Sequence, residues 1–190
     1  MKDAVLNSQK VRDVVKDIVI NKKIMNLGDQ QFEEHLMKLA SRDCDFIFSN
    51  YTMSHIRTFV FMVHSVFKKI YEKIVVDENL FHNMKNHDFN TYGPLIFMPT
   101  HRSYVDFLLV SYILYCYNTK VPQIVAAEDF LGMALVATLM RKSGAFFIRR
   151  KRSEFSEIYN AILYEYIQQL LMDQNWLEFF VEGTRSRYGK

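Results

Sequence analysis

The sequence is poor in the residues that mark linkers and low-complexity segments. Its 190 residues include six glycines and three prolines, and 49% of them are hydrophobic. Such a composition excludes a disordered or repetitive chain. It predicts one domain, or one domain with a helical extension, that buries a sizeable hydrophobic core.

Cysteine is also scarce. Cys44 and Cys116 are the two cysteines, they lie far apart, and neither has a histidine or another cysteine at metal-ligand spacing. This pattern excludes a disulfide-stapled fold and a recognisable zinc site. We therefore expect two unpaired thiols in a reducing compartment, and no bound metal.

Long hydrophobic runs are absent. No apolar run approaches the roughly 18 residues that a membrane-spanning helix needs, and the charged amino terminus lacks the apolar centre of a secretory signal. We therefore expect a soluble protein or one that binds a membrane peripherally.

The net charge is small, at +3. This balance argues against nucleic-acid binding, because proteins that bind nucleic acids usually carry a strongly basic surface. The basic residues are nevertheless concentrated. Residues 141–152 contain six lysines and arginines, residues 183–190 contain three, and neither segment contains an acid. We expect an anionic ligand to bind at these segments.

The first 92 residues show helical periodicity. Apolar side chains recur at three- and four-residue spacings from residue 8 to residue 39, and Gly28 is expected to end or interrupt this helix. A second helix is predicted over 53–74. Its apolar stripe indicates packing against the core or, alternatively, against a membrane surface or a partner helix. We predict an N-terminal helical region over 1–92.

From residue 93 onward, short apolar strands alternate with helices. Continuous apolar strands separated by helices are typical of a parallel sheet covered on both faces and joined by right-handed crossovers. We therefore predict an α/β fold over 93–190, with a mostly parallel sheet and crossover helices. The predicted strands are 94–98, 123–127, 145–148 and 177–181, and the predicted helices are 104–117, 131–142 and 154–172.

A histidine and an aspartate stand five positions apart where the first predicted strand gives way to a helix. His101 can take a proton from a hydroxyl near neutral pH, since an unperturbed histidine has a pKa of about 6.5. Asp106, one turn into the helix, can fold back to the ring, fix its tautomer and stabilise the imidazolium. The alternative is an ordinary helix start, capped by Ser103, with a solvated aspartate.

Two more polar segments follow the third and fourth predicted strands. They are Arg149-Arg-Lys-Arg152 and Glu182-Gly-Thr-Arg-Ser-Arg187. The carboxyl ends of parallel strands share one edge of a sheet, so we expect both segments to face the crevice at His101. For 150–152 the alternative is a solvated basic run. Arginine forks suit phosphate oxygens. No nucleophilic-serine turn or nucleotide phosphate loop is present, which predicts direct transfer to a substrate hydroxyl activated by His101.

Three segments resemble the first three sequence motifs of the glycerolipid acyltransferases, in the same order: His101-Arg-Ser-Tyr-Val-Asp106, Gly144-Ala-Phe-Phe-Ile-Arg-Arg150 and Phe180-Val-Glu-Gly-Thr-Arg-Ser-Arg187. The resemblance implies that His101 is the general base and that Asp106 orients it. It implies acyl-CoA as the acyl donor, with no cofactor and no metal. It also implies a set of residues that hold a phosphorylated three-carbon acceptor: Arg149, Glu182, Gly183, Arg185 and Ser186, with a contribution from Arg102.

Segments 8–13, 57–76 and 129–133 resemble most the branch of this superfamily that acylates dihydroxyacetone phosphate. That branch implies ether-lipid synthesis, a peroxisomal membrane location and an interaction with another enzyme of that synthesis. One alternative is glycerol 3-phosphate as acceptor, at a mitochondrial or endoplasmic reticulum membrane. Another is a catalytically silent protein that binds phosphate, acyl-CoA or a partner. Family members continue into a fourth motif, so an incomplete domain is expected here.

Overall fold

The computed structural model describes residues 1–21, 29–103, 105–150 and 155–188. The predicted α/β class is confirmed: helices cover the N-terminal part, and a parallel four-stranded sheet follows. In chain order the elements are α1 (Lys2–Leu6), α2 (Gln9–Asn21), α3 (Asp29–Ile47), α4 (Met53–Ile70), α5 (Glu78–Lys85), α6 (Phe89–Tyr92), β1 (Ile96–Phe97), α7 (Asp106–Cys116), β2 (Gln123–Ala127), α8 (Ala134–Lys142), β3 (Ala145–Ile148), α9 (Ser156–Met172) and β4 (Leu177–Glu178).

The chain forms two compact units. One consists of Met1–Phe48 and Arg149–Asp173, and the other of Ser49–Ile148 and Gln174–Lys190. Helix α9 is thus grouped with the N-terminal helices, and α4 to α6 with the sheet. The division into 1–92 and 93–190 made from the sequence stays a prediction.

The first unit is helical. Helices α2, α3 and α9 pack on one another, and α1 packs against all three. Val11 and Val15 of α2 are four positions apart and both buried, as the periodicity predicts. The predicted helix over 8–39 is two helices, and Gly28, expected to separate them, lies outside the described residues. Cys44 is free and buried, and burial raises the pKa of its thiol to about 12.

The second unit contains the sheet. Its strand order is β1-β4-β2-β3, with all pairs parallel. Strands β2 and β3 have the predicted bounds. Strand β1 is shorter than predicted because Pro94 and Pro99, which flank it, have no N–H to donate to a ladder. Strand β4 also stops early, at Glu178 rather than residue 181.

Several helix bounds differ from the predictions. Helix α4 ends at Ile70 because Tyr71 has an extended backbone, and a 3₁₀ turn over Glu128–Gly132 precedes α8. The short helices α1, α5 and α6 were not predicted. Two of them begin with an aspartate cap, since Asp77 and Asp88 accept hydrogen bonds from the N–H groups of residues 79 and 90. Among the described residues, no helix has the length and apolar character needed to cross a membrane.

Gly144, between α8 and β3, is required by its backbone conformation. Its φ is +105°, and a Cβ there would lie 2.9 Å from Cδ2 of Tyr51. We expect Gly144→Ala to lower the free energy of unfolding by about 1–3 kcal/mol, measured by urea denaturation. Gly132→Ala is the matched control, because nothing lies within 4 Å of its Cβ position. Equal effects of the two substitutions would contradict this explanation.

Candidate active site

The candidate site is built from the loops that follow β1 and β4. These strands are neighbours and run parallel, so the loops leave the sheet side by side. The loop after β1 carries His101 and leads into α7, whose first residue is Asp106. The loop after β4 carries Phe180, Glu182 and Ser186. Both loops belong to the second unit.

Asp106 binds the whole turn before α7. Its Oδ2 accepts hydrogen bonds from the N–H of Arg102 at 2.6 Å and from that of Ser103 at 2.7 Å. Its Oδ1 accepts the Ser103 hydroxyl at 2.7 Å. Burial raises the pKa of Asp106, but the hydrogen bonds from Ser103, His101 and Arg102 outweigh burial and hold the pKa below that of an ordinary aspartate. Asp106 is therefore ionised at neutral pH.

The ionised Asp106 sets the tautomer of His101. Nδ1 of His101 lies 3.2 Å from Oδ2 of Asp106. A carboxylate can only accept a hydrogen bond, so Nδ1 carries the proton, and in the neutral ring the lone pair lies on Nε2. The two side chains are 21% and 19% exposed, which leaves the ring accessible to a substrate. This is the arrangement that a general base requires.

The loop after β4 holds the backbone of His101 from both directions. The N–H of His101 donates to Oε1 of Glu182 at 3.2 Å, and its carbonyl accepts the N–H of Ser186 at 2.8 Å. The ring of Phe180 lies 4.4 Å from the imidazole, centroid to centroid. The first and third motifs of the sequence therefore meet at His101, as expected.

The arginines and the glycine of these two loops are exposed. Arg102 and Arg185 are both exposed, and Arg102 contributes its backbone N–H to Asp106. Gly183 has a φ of +64° and donates its N–H to the carbonyl of Phe180 at 3.2 Å, which closes the turn. The loops thus present two arginines and a tight turn beside His101.

Arg149 lies in the first unit. Its Nη1 donates to Oδ1 of Asp43 at 2.5 Å, and its guanidinium stacks 4.3 Å from the ring of Phe46. Its backbone N–H donates to the Tyr159 hydroxyl at 2.8 Å. That Arg149 shares a crevice with His101 stays a prediction, and the structure gives this arginine a structural ion pair. Of the basic run, Arg150 is exposed and 151–152 lie outside the described residues.

Some contacts of the site were not anticipated from the sequence. The sequence predicts Ser103 as a possible helix cap, whereas in the structure its hydroxyl donates to Asp106 and accepts the N–H of Val105 at 3.1 Å. Phe180 was read as part of a strand, and nothing in its sequence context indicated a ring contact with His101. Asp43 is 106 residues from Arg149, and no local signal links them. Within the described part of the chain, no cluster of three histidine, cysteine or acidic residues could hold a metal.

Comparison with known proteins agrees with this geometry. Residues 80–190 match the acyltransferase family. Along its full length the chain is 35% identical to dihydroxyacetone phosphate acyltransferase of Oryctolagus cuniculus and 37% identical to that of Homo sapiens, and covers 27% of each. It is 32% identical to mitochondrial glycerol-3-phosphate acyltransferase 1 of Homo sapiens, over 98% of this chain and 23% of that protein. The chain spans about a quarter of the length of these curated relatives. On the family match and on these identities, the chain belongs to the acyltransferase family.

Proposed function

We propose that this chain carries the active site of an enzyme that moves a fatty acyl group from acyl-CoA to the hydroxyl of dihydroxyacetone phosphate. The main support is the His101–Asp106 pair, in which an ionised carboxylate leaves the lone pair of the imidazole on Nε2. The choice of acceptor is supported by the 35–37% identity to relatives named dihydroxyacetone phosphate acyltransferase.

In the proposed reaction, Nε2 of His101 takes the proton of the acceptor hydroxyl while the hydroxyl oxygen attacks the thioester carbonyl. The C–O bond forms, the carbonyl oxygen becomes an oxyanion, and the C–S bond then breaks. The sulfur of CoA leaves with the proton that His101 had taken. Asp106 stabilises the intermediate imidazolium through Nδ1–H. Atoms and charge balance without a cofactor.

The acceptor's phosphate would be bound by the exposed end of the site. Arg185 and Arg102 lie in the two loops that meet at His101, and Gly183 shapes the turn before Arg185. An arginine fork matches two phosphate oxygens. Glu182 and Ser186 would act on the acceptor indirectly, because both already hold the backbone of His101. Arg149 remains a proposed acceptor ligand on the strength of the sequence resemblance.

Glycerol 3-phosphate is the second candidate acceptor. It is supported by the 32% identity to a relative named glycerol-3-phosphate acyltransferase 1. Both acceptors present a hydroxyl and a phosphate to the same residues, so the site chemistry described above applies to either.

The test is acyl transfer from palmitoyl-CoA carrying a labelled acyl group, with each acceptor in turn. Product counting is preferable to thiol detection, because Cys116 is exposed and would react with a thiol reagent. We expect a higher kcat/KM with dihydroxyacetone phosphate. A higher value with glycerol 3-phosphate would favour the second candidate. Binding of acyl-CoA without transfer to either acceptor would overturn the proposed activity and indicate a silent binding protein.

The same proposal includes a location and a process. We place the activity in ether-lipid synthesis at the peroxisomal membrane, with peripheral attachment and contact with another enzyme of that synthesis. A mitochondrial or endoplasmic reticulum membrane is the alternative that goes with glycerol 3-phosphate. Fractionation of cells that express the tagged full-length protein would distinguish these membranes.

Arg185→Lys tests the phosphate contact. We expect the KM for the phosphorylated acceptor to rise about tenfold, because lysine keeps the charge but loses the two-pronged fork. The KM for acyl-CoA should change little. Arg57→Lys, an exposed arginine on α4, is the matched control. A rise in the acyl-CoA constant alone would assign Arg185 to the CoA phosphates instead.

Arg149→Lys provides the comparison. If Arg149 binds the acceptor, the KM for the acceptor rises and its effect is not additive with that of Arg185→Lys, as for residues that share a ligand. If Arg149 serves only its ion pair with Asp43, thermal stability falls and the KM stays the same.

A further inference from the structure

The buried carboxyl group of Glu178 is not used by the mechanism above. Glu178 is the second residue of β4 and is 0% exposed. Neither of its carboxyl oxygens has a hydrogen-bond partner among the described residues. A buried carboxyl without a partner is costly, and far more so when it is ionised. Its position therefore needs an explanation.

Within the part of the chain that the structure describes, no charged group influences Glu178. In the sheet it is paired with Phe97 of β1 and with Ile124 of β2. Trp176, two residues earlier, points to the same side of the strand, and it packs in one buried cluster with Leu114 of α7. Ser111, the buried polar residue of α7, is one turn before Leu114 on the same helix face. Burial alone raises the pKa of Glu178, to about 8, with no charged group of the described residues contributing.

Strand β4 connects Glu178 to the candidate active site. The N–H of Phe179 donates to the carbonyl of Phe97 at 3.1 Å, next to the point where both chain segments enter their loops. Phe180 follows and its ring contacts that of His101, and then Glu182 accepts the N–H of His101. A displacement of β4 at residue 178 would therefore move both supports of His101.

We infer that Glu178 is a positioning residue that must stay uncharged for β4 to hold Phe180 and Glu182 against His101. The expected effect on catalysis rests on the proposed acyl transfer, whereas the expected effect on the position of β4 does not. When Glu178 loses its proton, the carboxylate has no counter-charge among the described residues, and it gains solvation only if β4 moves away from the residues that bury it. Phe180 and Glu182 then no longer hold His101 in place.

The sign of the pH effect follows from the raised pKa. An unfolded glutamate loses its proton near 4.5 and the folded one near 8. The free energy of unfolding therefore falls as the pH rises from 4.5 to 8, and it changes no further above that. Replacing Glu178 with a residue that does not ionise prevents this decrease in the free energy of unfolding. The folding equilibrium constant of a Glu178→Gln variant, relative to the wild type, should rise about tenfold per pH unit in this range.

The experiment uses Trp176, the single tryptophan of the chain, as a probe on the same side of β4. Wild type and Glu178→Gln are titrated from pH 6 to 9.5, with Glu72→Gln, an exposed glutamate of the same unit, as control. We expect an emission change with a midpoint near 8 in the wild type and in the control, and none in Glu178→Gln. Glu178→Leu gives a second test should the glutamine variant fold poorly.

Acyl transfer is followed over the same pH range as a ratio to each protein's own value at pH 7. We expect this ratio to fall with the emission change in the wild type and to persist to higher pH in Glu178→Gln. An emission change that survives in both Glu178 variants would overturn the inference. Absence of transfer in all proteins, with a Glu178-dependent emission change, would overturn the proposed function while supporting the role of Glu178.

Discussion

Replacing His101 with alanine is expected to lower acyl transfer at least about a hundredfold while the fold stays intact. A general base typically contributes 10²–10⁴-fold to a rate. The side chain is 21% exposed, and its bond to Asp106 and its ring contact with Phe180 lie at the rim of the sheet. Its removal therefore leaves no cavity in the core.

Transfer should be measured with the labelled acyl donor, and folding by circular dichroism and by the emission of Trp176. His82→Ala is the matched control, since His82 is exposed on α5 in the same unit. The control should retain transfer. If His101→Ala keeps more than about a tenth of the wild-type rate, His101 is not the base.

The parallel strands explain why the sequence alone predicts that the motifs of His101 and Glu182 lie close together. The runs at 123–127 and 145–148, apolar apart from Gln123 at the start of the first, predict β2 and β3 with their observed bounds, because a strand buried on both faces is mostly apolar along its length. Parallel strands place their following loops at one edge, which brought the loops of His101 and Glu182 together. The sequence does not contain the strand order, however. Only the pairing of β1 with β4 makes these two loops immediate neighbours.

The features that could not be predicted depend on side-chain packing. The partner of Arg149 is Asp43, which lies in a helix 106 residues earlier, and no local pattern encodes such a pair. Leu177 and Glu178 point to opposite faces of β4, and both are buried, as expected of a strand in a sheet that is covered on both faces. The local sequence does not show that the buried carboxyl of Glu178 lies there without a hydrogen-bond partner among the described residues.

The short elements were missed for a related reason. Helices α5 and α6 contain eight and four residues, too few for a periodic pattern to stand out. The capping residues Asp77 and Asp88 are the feature of the sequence that indicates where these two helices begin. Strand β4 was over-extended in the prediction because the apolar run of the sequence continues past Glu178 into the loop of the site. Phe180 is an example, since its ring contacts His101 rather than a neighbouring strand.

Changing Asp106 to asparagine is expected to lower kcat by up to about 10⁴-fold, the loss that follows when the orienting aspartate of a serine-protease triad is changed to asparagine. The asparagine amide can donate to Nδ1 of His101, which would shift the ring proton to Nε2 and remove the base. It also weakens the turn, because Oδ2 accepts the N–H groups of Arg102 and Ser103. Ser103→Ala is the matched control, since it removes one bond to the carboxylate and leaves the charge.

The tautomer of His101 separates these two roles of Asp106. Its pKa in the folded chain is below the ordinary value of 3.8, so its contribution to stability is fully present above pH 3.8 and is lost as the pH falls through the lowered pKa. Asp106 is therefore ionised at every pH from about 5 to 8, and its own titration adds no pH dependence to the comparison of wild type with Asp106→Asn in that range. Nitrogen-15 spectra of labelled histidine should show the His101 proton moving from Nδ1 to Nε2. A normal tautomer with a reduced unfolding free energy would make Asp106 a residue that orders the turn, and His101 would then act without an orienting carboxylate.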